Sequence, residues 1–350
     1  MALLPMLNIS VPGILPTPTY MPGTLALLSL CMVFAALALS YNLLLGSGGM
    51  LSFGHALYFG AGAYGLGIAL EHFGVPPWPG VFIALLGGMV IALATGAVAM
   101  RVSGIPFAMV TLAFAQAGSL LVRRNSAVTG GEEGLSLPTE QVPDFLIGVV
   151  NTRNLYWLTL AILVLVYLVT LWVDTSRLGH LARATRENEQ RVKVLGLHPY
   201  RVKLLVFVIA GVLASLAGVA YMLLQSGTVP RAVSADLTIT VLVMVVLGGV
   251  GFRWGAIVGG VLYTLLDQRL TVLAGSEAIA GLPDVLRVPL SEPLFILGVL
   301  FILVVMFLPG GIAGTIDAAV RRRRGERVRG SLQTLDDAGL DSDAPAEART

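Results

Sequence analysis

DTSRLGHLARATRENEQRVKVLGLHPYRVK, residues 174–203, is a polar island in an otherwise apolar chain. It holds Arg177, Arg183, Arg186, Arg191, Lys193, Arg201 and Lys203 against Asp174, Glu187 and Glu189, a balance of +4. An uncharged run, residues 154–173, precedes it, and another, 204–226, follows. Short Lys/Arg-rich loops between two membrane spans are retained on the cytoplasmic side. The pattern therefore predicts a short helix outside the bilayer, at the cytoplasmic surface and placed to touch a soluble partner.

The rest of the chain supports a membrane setting. Of its 350 residues 56% are hydrophobic and 12% charged, and the mean hydropathy is +0.85. Soluble domains carry about 25% charged residues. Halving that share removes the polar coat a soluble surface needs, so the sequence predicts an all-α integral membrane protein, a polytopic bundle of 8–10 transmembrane helices with lipid as its main partner. The net charge of +2 gives no nucleic-acid footprint. The single cysteine, Cys31, excludes an internal disulfide and a Cys-rich metal site. The first residues, MALLPMLNISVPGILPTPTYMPG, carry no side-chain charge, whereas a signal peptide has a basic n-region. They read as a lead-in, residues 1–23, whose prolines forbid a long helix.

Apolar runs at 24–45, 52–71, 80–100, 106–122, 154–173, 204–226, 237–250, 255–273 and 293–309 give nine expected crossings. The run 237–250 is short for a full crossing and is expected to tilt or to insert half-way. The glycines Gly46, Gly48 and Gly49 break the helix between the first two runs. Such a break at membrane depth is tolerated only where protein or a water-filled cavity covers the freed backbone, so this segment is expected inside the bundle. GAGAYG, residues 60–65, matches a dinucleotide-binding pattern. It lies within an apolar helix with no preceding strand, so it reads as small-residue helix packing. With residues 174–203 inside, 101–104, 251–254 and the tail fall inside too. The loops at 71–79, 123–153, 227–236 and 274–292 fall outside, as does the N-terminus. Residues 24–311 form the expected transmembrane domain, and 312–350, basic and then acidic, the expected disordered cytoplasmic tail.

No catalytic constellation is present. His55, His72, His180 and His198 are scattered, and no phosphate-binding Walker sequence occurs. Acidic residues within the spans, which ion-coupled transporters keep near the midplane, are nearly absent. The chain thus reads as a transport subunit without a cofactor of its own, energised from elsewhere. A pathway with few fixed charges suits a small apolar or zwitterionic solute. Ser47, Ser52, His55, Tyr58, Thr111 and Gln116 are the candidate polar contacts along it.

The segments YNLLLGSGGMLSFGHALYFGAGAYG (41–65), VTLAFAQ (110–116), TGGEEGLS (129–136), RLGHLARATRENEQRVKVLGLHPYRVKLLVFVIAGVLASLAGVAY (177–221) and MVVLGGVGFRWGAIVGG (244–260) occur in this order. In them the chain resembles LivM-type permeases of bacterial ABC importers for branched-chain amino acids. The resemblance implies a bacterial inner-membrane protein paired with a second, LivH-like permease. It also implies two ATPase subunits that bind ATP and Mg, and an extracytoplasmic substrate-binding protein. It places Gly179, Ala182, Arg183, Ala184, Arg186, Glu187, Asn188, Glu189 and Gly196 in a coupling region that sits in a groove of the ATPase. The chain departs from that pattern in Gln190, Arg191 and Val192, where small residues are usual, and in Thr240, where Glu is common. A permease for urea, an amide, a sugar or a nucleoside, and an ATPase-independent secondary transporter, are the alternatives.

Overall fold

The computed structural model describes residues 20–143, 145, 151–274, 292–308 and 310–320. The expected lead-in before residue 20, most of the acidic stretch 274–292 and the tail from 321 lie outside the described residues. The described chain is helical almost throughout. Its helices are α1 (Pro22–Asn42), α2 (His55–Glu71), α3 (Pro77–Ala99), α4 (Ile105–Arg124), α5 (Ser126–Thr129), α6 (Thr152–Thr175), α7 (Arg177–Glu187), α8 (Glu189–Val194), α9 (Pro199–Gln225), α10 (Ala235–Gly248), α11 (Arg253–Ala274) and α12 (Pro293–Phe307). A further helix, α13, runs over residues 311–320, so the expected boundary of the tail at 312 falls inside a helix. Proline opens α1, α3, α4, α9 and α12, at the first turn where its missing N–H is not needed.

Every expected apolar run is a helix, but the runs are not equal. Six helices of the described chain are long and apolar enough to cross a membrane: α1 with the turn that follows it, α3, α4, α6, α9, and α12 running on into α13. α2 has 17 residues and α10 has 14. At 1.5 Å per residue α10 reaches only about 21 Å against a hydrocarbon core of about 30 Å. The 3₁₀ turn Pro230–Val233 lengthens that layer.

α1 and α9 form the centre. Of the apolar window of α1 78% is buried, and of α9 61%, against 28% for α3 and 12% for the span beginning at Leu294. α1 packs on α6, α9, α10 and α11, while α9 packs on α1, α2 and α3. Small residues permit the closest approach. A Cβ on Gly62 would run into the backbone of Ser215, and one on Gly218 into the backbone of Phe59. Gly62 of GAGAYG and Gly218 thus let α2 lie directly on α9, while Gly60 faces Val233 and Gly65 faces Ala84 of α3, as small-residue helix contacts do in lipid.

Strand pairing among the described residues is confined to one short ladder. Leu135–Ser136 pairs antiparallel with Gly227–Thr228. It ties the 123–153 loop to the end of α9 on the face opposite α7.

Candidate coupling site and polar interior

The basic stretch folds as a bent pair of helices. Ser176 caps α7, its Oγ accepting from the Gly179 N–H at 3.4 Å. Asn188 ends α7 and caps α8, its Oδ1 accepting from the Arg191 N–H at 2.9 Å. Gly196, at φ 77°, ends α8. Its N–H bonds to the Lys193 carbonyl and the Leu197 N–H to the Val192 carbonyl, the paired bonds of a Schellman stop. Gly179 has no room for a side chain: a Cβ there would press on the backbone of Val173 and Asp174. It brings α7 hard against the end of α6. Ala182 is buried at the same contact, while Ala184, Glu187 and Asn188 are exposed.

Arg183 and Arg186 turn toward the body of the protein. The Arg183 Nη2 donates to the Asp174 carbonyl at 2.9 Å. Arg186 donates through Nη1 to the carbonyl of Gly46 and lays its stem across Gly49. Gly46 belongs to Leu43–Ser47, a π-helical turn that closes α1. The same joint includes Asp174, whose Oδ1 accepts from Ser47 Oγ at 2.5 Å and whose Oδ2 pairs with Arg253 Nη1 at 2.8 Å. Asn42 Oδ1 accepts from the Gly251 N–H at 2.8 Å. Three regions far apart in sequence, the end of α1, the α6–α7 corner and the α10–α11 turn, are thus bolted together around a cavity of about 380 Å³. Ser47, a candidate pathway residue, lies in this joint. Asn42, Asp174 and Arg253 were not singled out by sequence reasoning. The signal for Asp174 was present: it is the first charge after the apolar run 154–173, at the end of a span and still within α6, where an acid needs a partner.

The second half of the stretch is held by one carboxylate. Glu189 takes Lys203 at 2.5 Å and Lys193 at 3.4 Å. The hydrogen bond from Lys203 is the main reason that the Glu189 carboxyl lies below its ordinary range. Outward the pair presents a polar face, with Glu187, Gln190 and Arg191 exposed, that ends in an apolar tip: Val194 is 87% exposed and Leu195 71%.

Of the other candidate pathway residues, Ser52, His55, Tyr58 and Thr111 lie together inside the bundle, each fully buried. Residues 48–54 are not helical. Their backbone is served by side chains: Tyr41 OH donates to the Ser52 carbonyl at 3.0 Å, and Thr111 Oγ1 accepts from the Phe53 N–H at 3.0 Å. Thr238 Oγ1 accepts from the Ala56 N–H at 2.9 Å. His55 Nε2 meets Ser40 Oγ at 2.9 Å, and Tyr58 OH meets Thr95 Oγ1 at 2.8 Å. This network holds the break that follows α1. Gln116 stands apart from it, exposed on α4.

A family model described as the branched-chain amino acid transport system / permease component matches residues 23–308. The chain belongs to this family. The permease is 27% identical over 274 residues to the high-affinity branched-chain amino acid transport system permease protein LivM of Escherichia coli K12, a match covering 71% of this chain and 64% of that protein. It is 27% identical over 316 residues to a probable branched-chain amino acid transport permease protein LivM of Methanocaldococcus jannaschii, covering 80% and 90%. It is 26% identical over 298 residues to the LivH permease protein of Escherichia coli K12, covering 80% and 91%. No solved structure matches the permease significantly. The matched residues contain the spans from α1 to α12 and the whole basic stretch, which makes the permease a multi-pass membrane protein.

Proposed function

We propose that the chain is a membrane-spanning subunit of an ABC importer that moves branched-chain or related small amino acids across the bacterial inner membrane. ATP and Mg act on separate ATPase subunits, a LivH-like permease completes the pathway, and an extracytoplasmic protein delivers the solute. The observation that carries this reading is the α7–α8 pair. It stands outside the spans, offers the apolar tip Val194–Leu195 to a partner, and is fastened through Arg186 and Asp174 to the end of the central helix α1. A push on the tip therefore reaches the core of the bundle rather than a slack loop. A ligand or partner shifts a conformational equilibrium only through contacts that differ between states, and this joint is where such contacts are available.

The test joins uptake to purification. Cells lacking the chain should lose uptake of labelled leucine, isoleucine and valine, and regain it with the wild type. Mild-detergent purification of the tagged chain should recover a P-loop ATPase. Val194→Asp with Leu195→Asp should lose that ATPase while keeping the chain in the membrane. Uptake that persists in the double variant, or wild-type complexes without any ATPase, would refute the reading.

A further inference from the structure

On the face opposite the coupling helices, α1, α9, α10 and α11 enclose a cavity of about 200 Å³. Pockets for drug-sized ligands run to roughly 300–1,000 Å³, so this one suits a solute of small amino-acid size. One wall is aromatic. The Phe34 and Phe59 rings lie 6.4 Å apart, and Tyr221 packs on them at 6.3 and 5.3 Å. Met244 and Leu237 continue that wall. The other wall holds two opposite charges. Asp267, half-buried on α11, and Arg231, exposed on the 3₁₀ turn after α9, both line the cavity. Neither takes part in any ion pair among the described residues, and the side chains of neither make a hydrogen bond there.

Two unlike charges that share a cavity without joining are an unusual arrangement. Asp267 is half-buried, and burying an acid without a partner is costly, while the exposed guanidinium of Arg231 stands at the mouth of the same cavity and attracts the opposite charge. A simple anion would satisfy Arg231 and oppose Asp267; a simple cation would do the reverse. A zwitterion satisfies both at once.

We propose that this cavity is a zwitterion-binding site on the extracytoplasmic side of the permease. The solute's ammonium group faces Asp267, its carboxylate faces Arg231 at the rim, and its apolar side chain lies on Phe34 and Phe59. Thr240 and Gln268 supply further polar contacts at the same wall. The site takes an α-amino acid with a small aliphatic side chain, and it rejects molecules that lack either charged group. This rests on the amino-acid reading above and assigns residues to it.

The test is binding of tritiated leucine to the full-length chain in lipid nanodiscs. Asp267→Asn and Arg231→Gln should each weaken binding by about tenfold or more, since hydrogen bonds to charged groups are the strong ones. Asp267→Glu and Arg231→Lys should retain most of it. For the wild type, 4-methylpentanoate and 3-methylbutylamine, which lack one charge each, should displace leucine at least about tenfold less well than isoleucine. Monodisperse elution and unchanged helix content confirm that each variant is folded. Equal binding by wild type and both neutral variants, or no binding by the wild type, overturns the site. Uptake in cells separates this from the broader reading. If the chain supports leucine uptake that neither substitution alters, the site is wrong and the permease stands. If the chain supports no leucine uptake at all, the amino-acid assignment falls and the site with it.

Discussion

Asp174 is the side chain on which the joint between α1, the α6–α7 corner and the α10–α11 turn depends. It receives Ser47 and Arg253 through its carboxylate, and its own carbonyl receives Arg183. Asp174→Ala leaves Arg253 without its acid, and hydrogen bonds to charged groups are worth about 1.5–3 kcal/mol each. Thermal unfolding in detergent should register a loss of that order. Transport should fall by at least about tenfold, because roughly 1.4 kcal/mol of lost coupling is a factor of ten. Glu189 behaves differently. Its carboxyl is depressed by Lys203, so the bond it makes is present above the ordinary carboxylate value of about 4.3 and is lost only as pH falls through the lower, folded value. Amide exchange over residues 189–196, corrected for intrinsic rates, should stay level between pH 7 and 5 and rise only in stronger acid. These residues also show what sequence could and could not convey. The charge density of 174–203 placed the helix outside the spans. It did not reveal that the guanidinium groups of the exposed Arg183 and Arg186 bond back onto the protein, because their acceptors are backbone carbonyls at Asp174 and Gly46, which carry no side-chain signature.

At the scale of elements, helix contacts and the non-helical break do most to fix the fold. Gly218→Leu would drive a side chain into the Phe59 backbone, and overpacking of a filled core costs about 1–3 kcal/mol or more. The variant should unfold at lower temperature, with α2 and α9 separated. Thr111→Val keeps the shape of the side chain but withdraws the acceptor from the Phe53 N–H. An orphaned buried donor costs about 1–3 kcal/mol, and this variant should show that loss without a change in helix content. The break was legible from Gly46, Gly48 and Gly49, and so was its place inside the bundle. The duty of the polar residues around it was not legible. A Ser, His or Tyr in an apolar helix looks the same whether it meets a solute or its neighbour, and here His55 meets Ser40 and Tyr58 meets Thr95.

For the whole molecule, the helix directions require the 71–79 turn and the α8 region to lie on opposite sides of the membrane. The only native cysteine, Cys31, is 1% exposed, so single cysteines can be read against a silent background. Glu71→Cys should react with an impermeant maleimide added to intact cells, and Gln190→Cys only after the membrane is opened. Hydropathy was enough to find the nine apolar runs that are helical among the described residues, but not the helix over 311–320. It did not rank them, because centrality depends on neighbours: α1 and α9 are no more apolar than α3, yet they fill the middle while α3 faces outward.

The non-helical segment before α2 bears on the order in which the chain is made. Ala56 depends for its N–H partner on Thr238, which follows it by 182 positions. At a synthesis rate of about 5–20 residues per second, that separation corresponds to roughly 10–40 s. For that interval the growing polypeptide must keep an unsatisfied amide away from hydrocarbon. The first two helices therefore wait in a sheltered, hydrated setting during insertion, and final docking of residues 48–56 is among the last steps of biogenesis rather than the first.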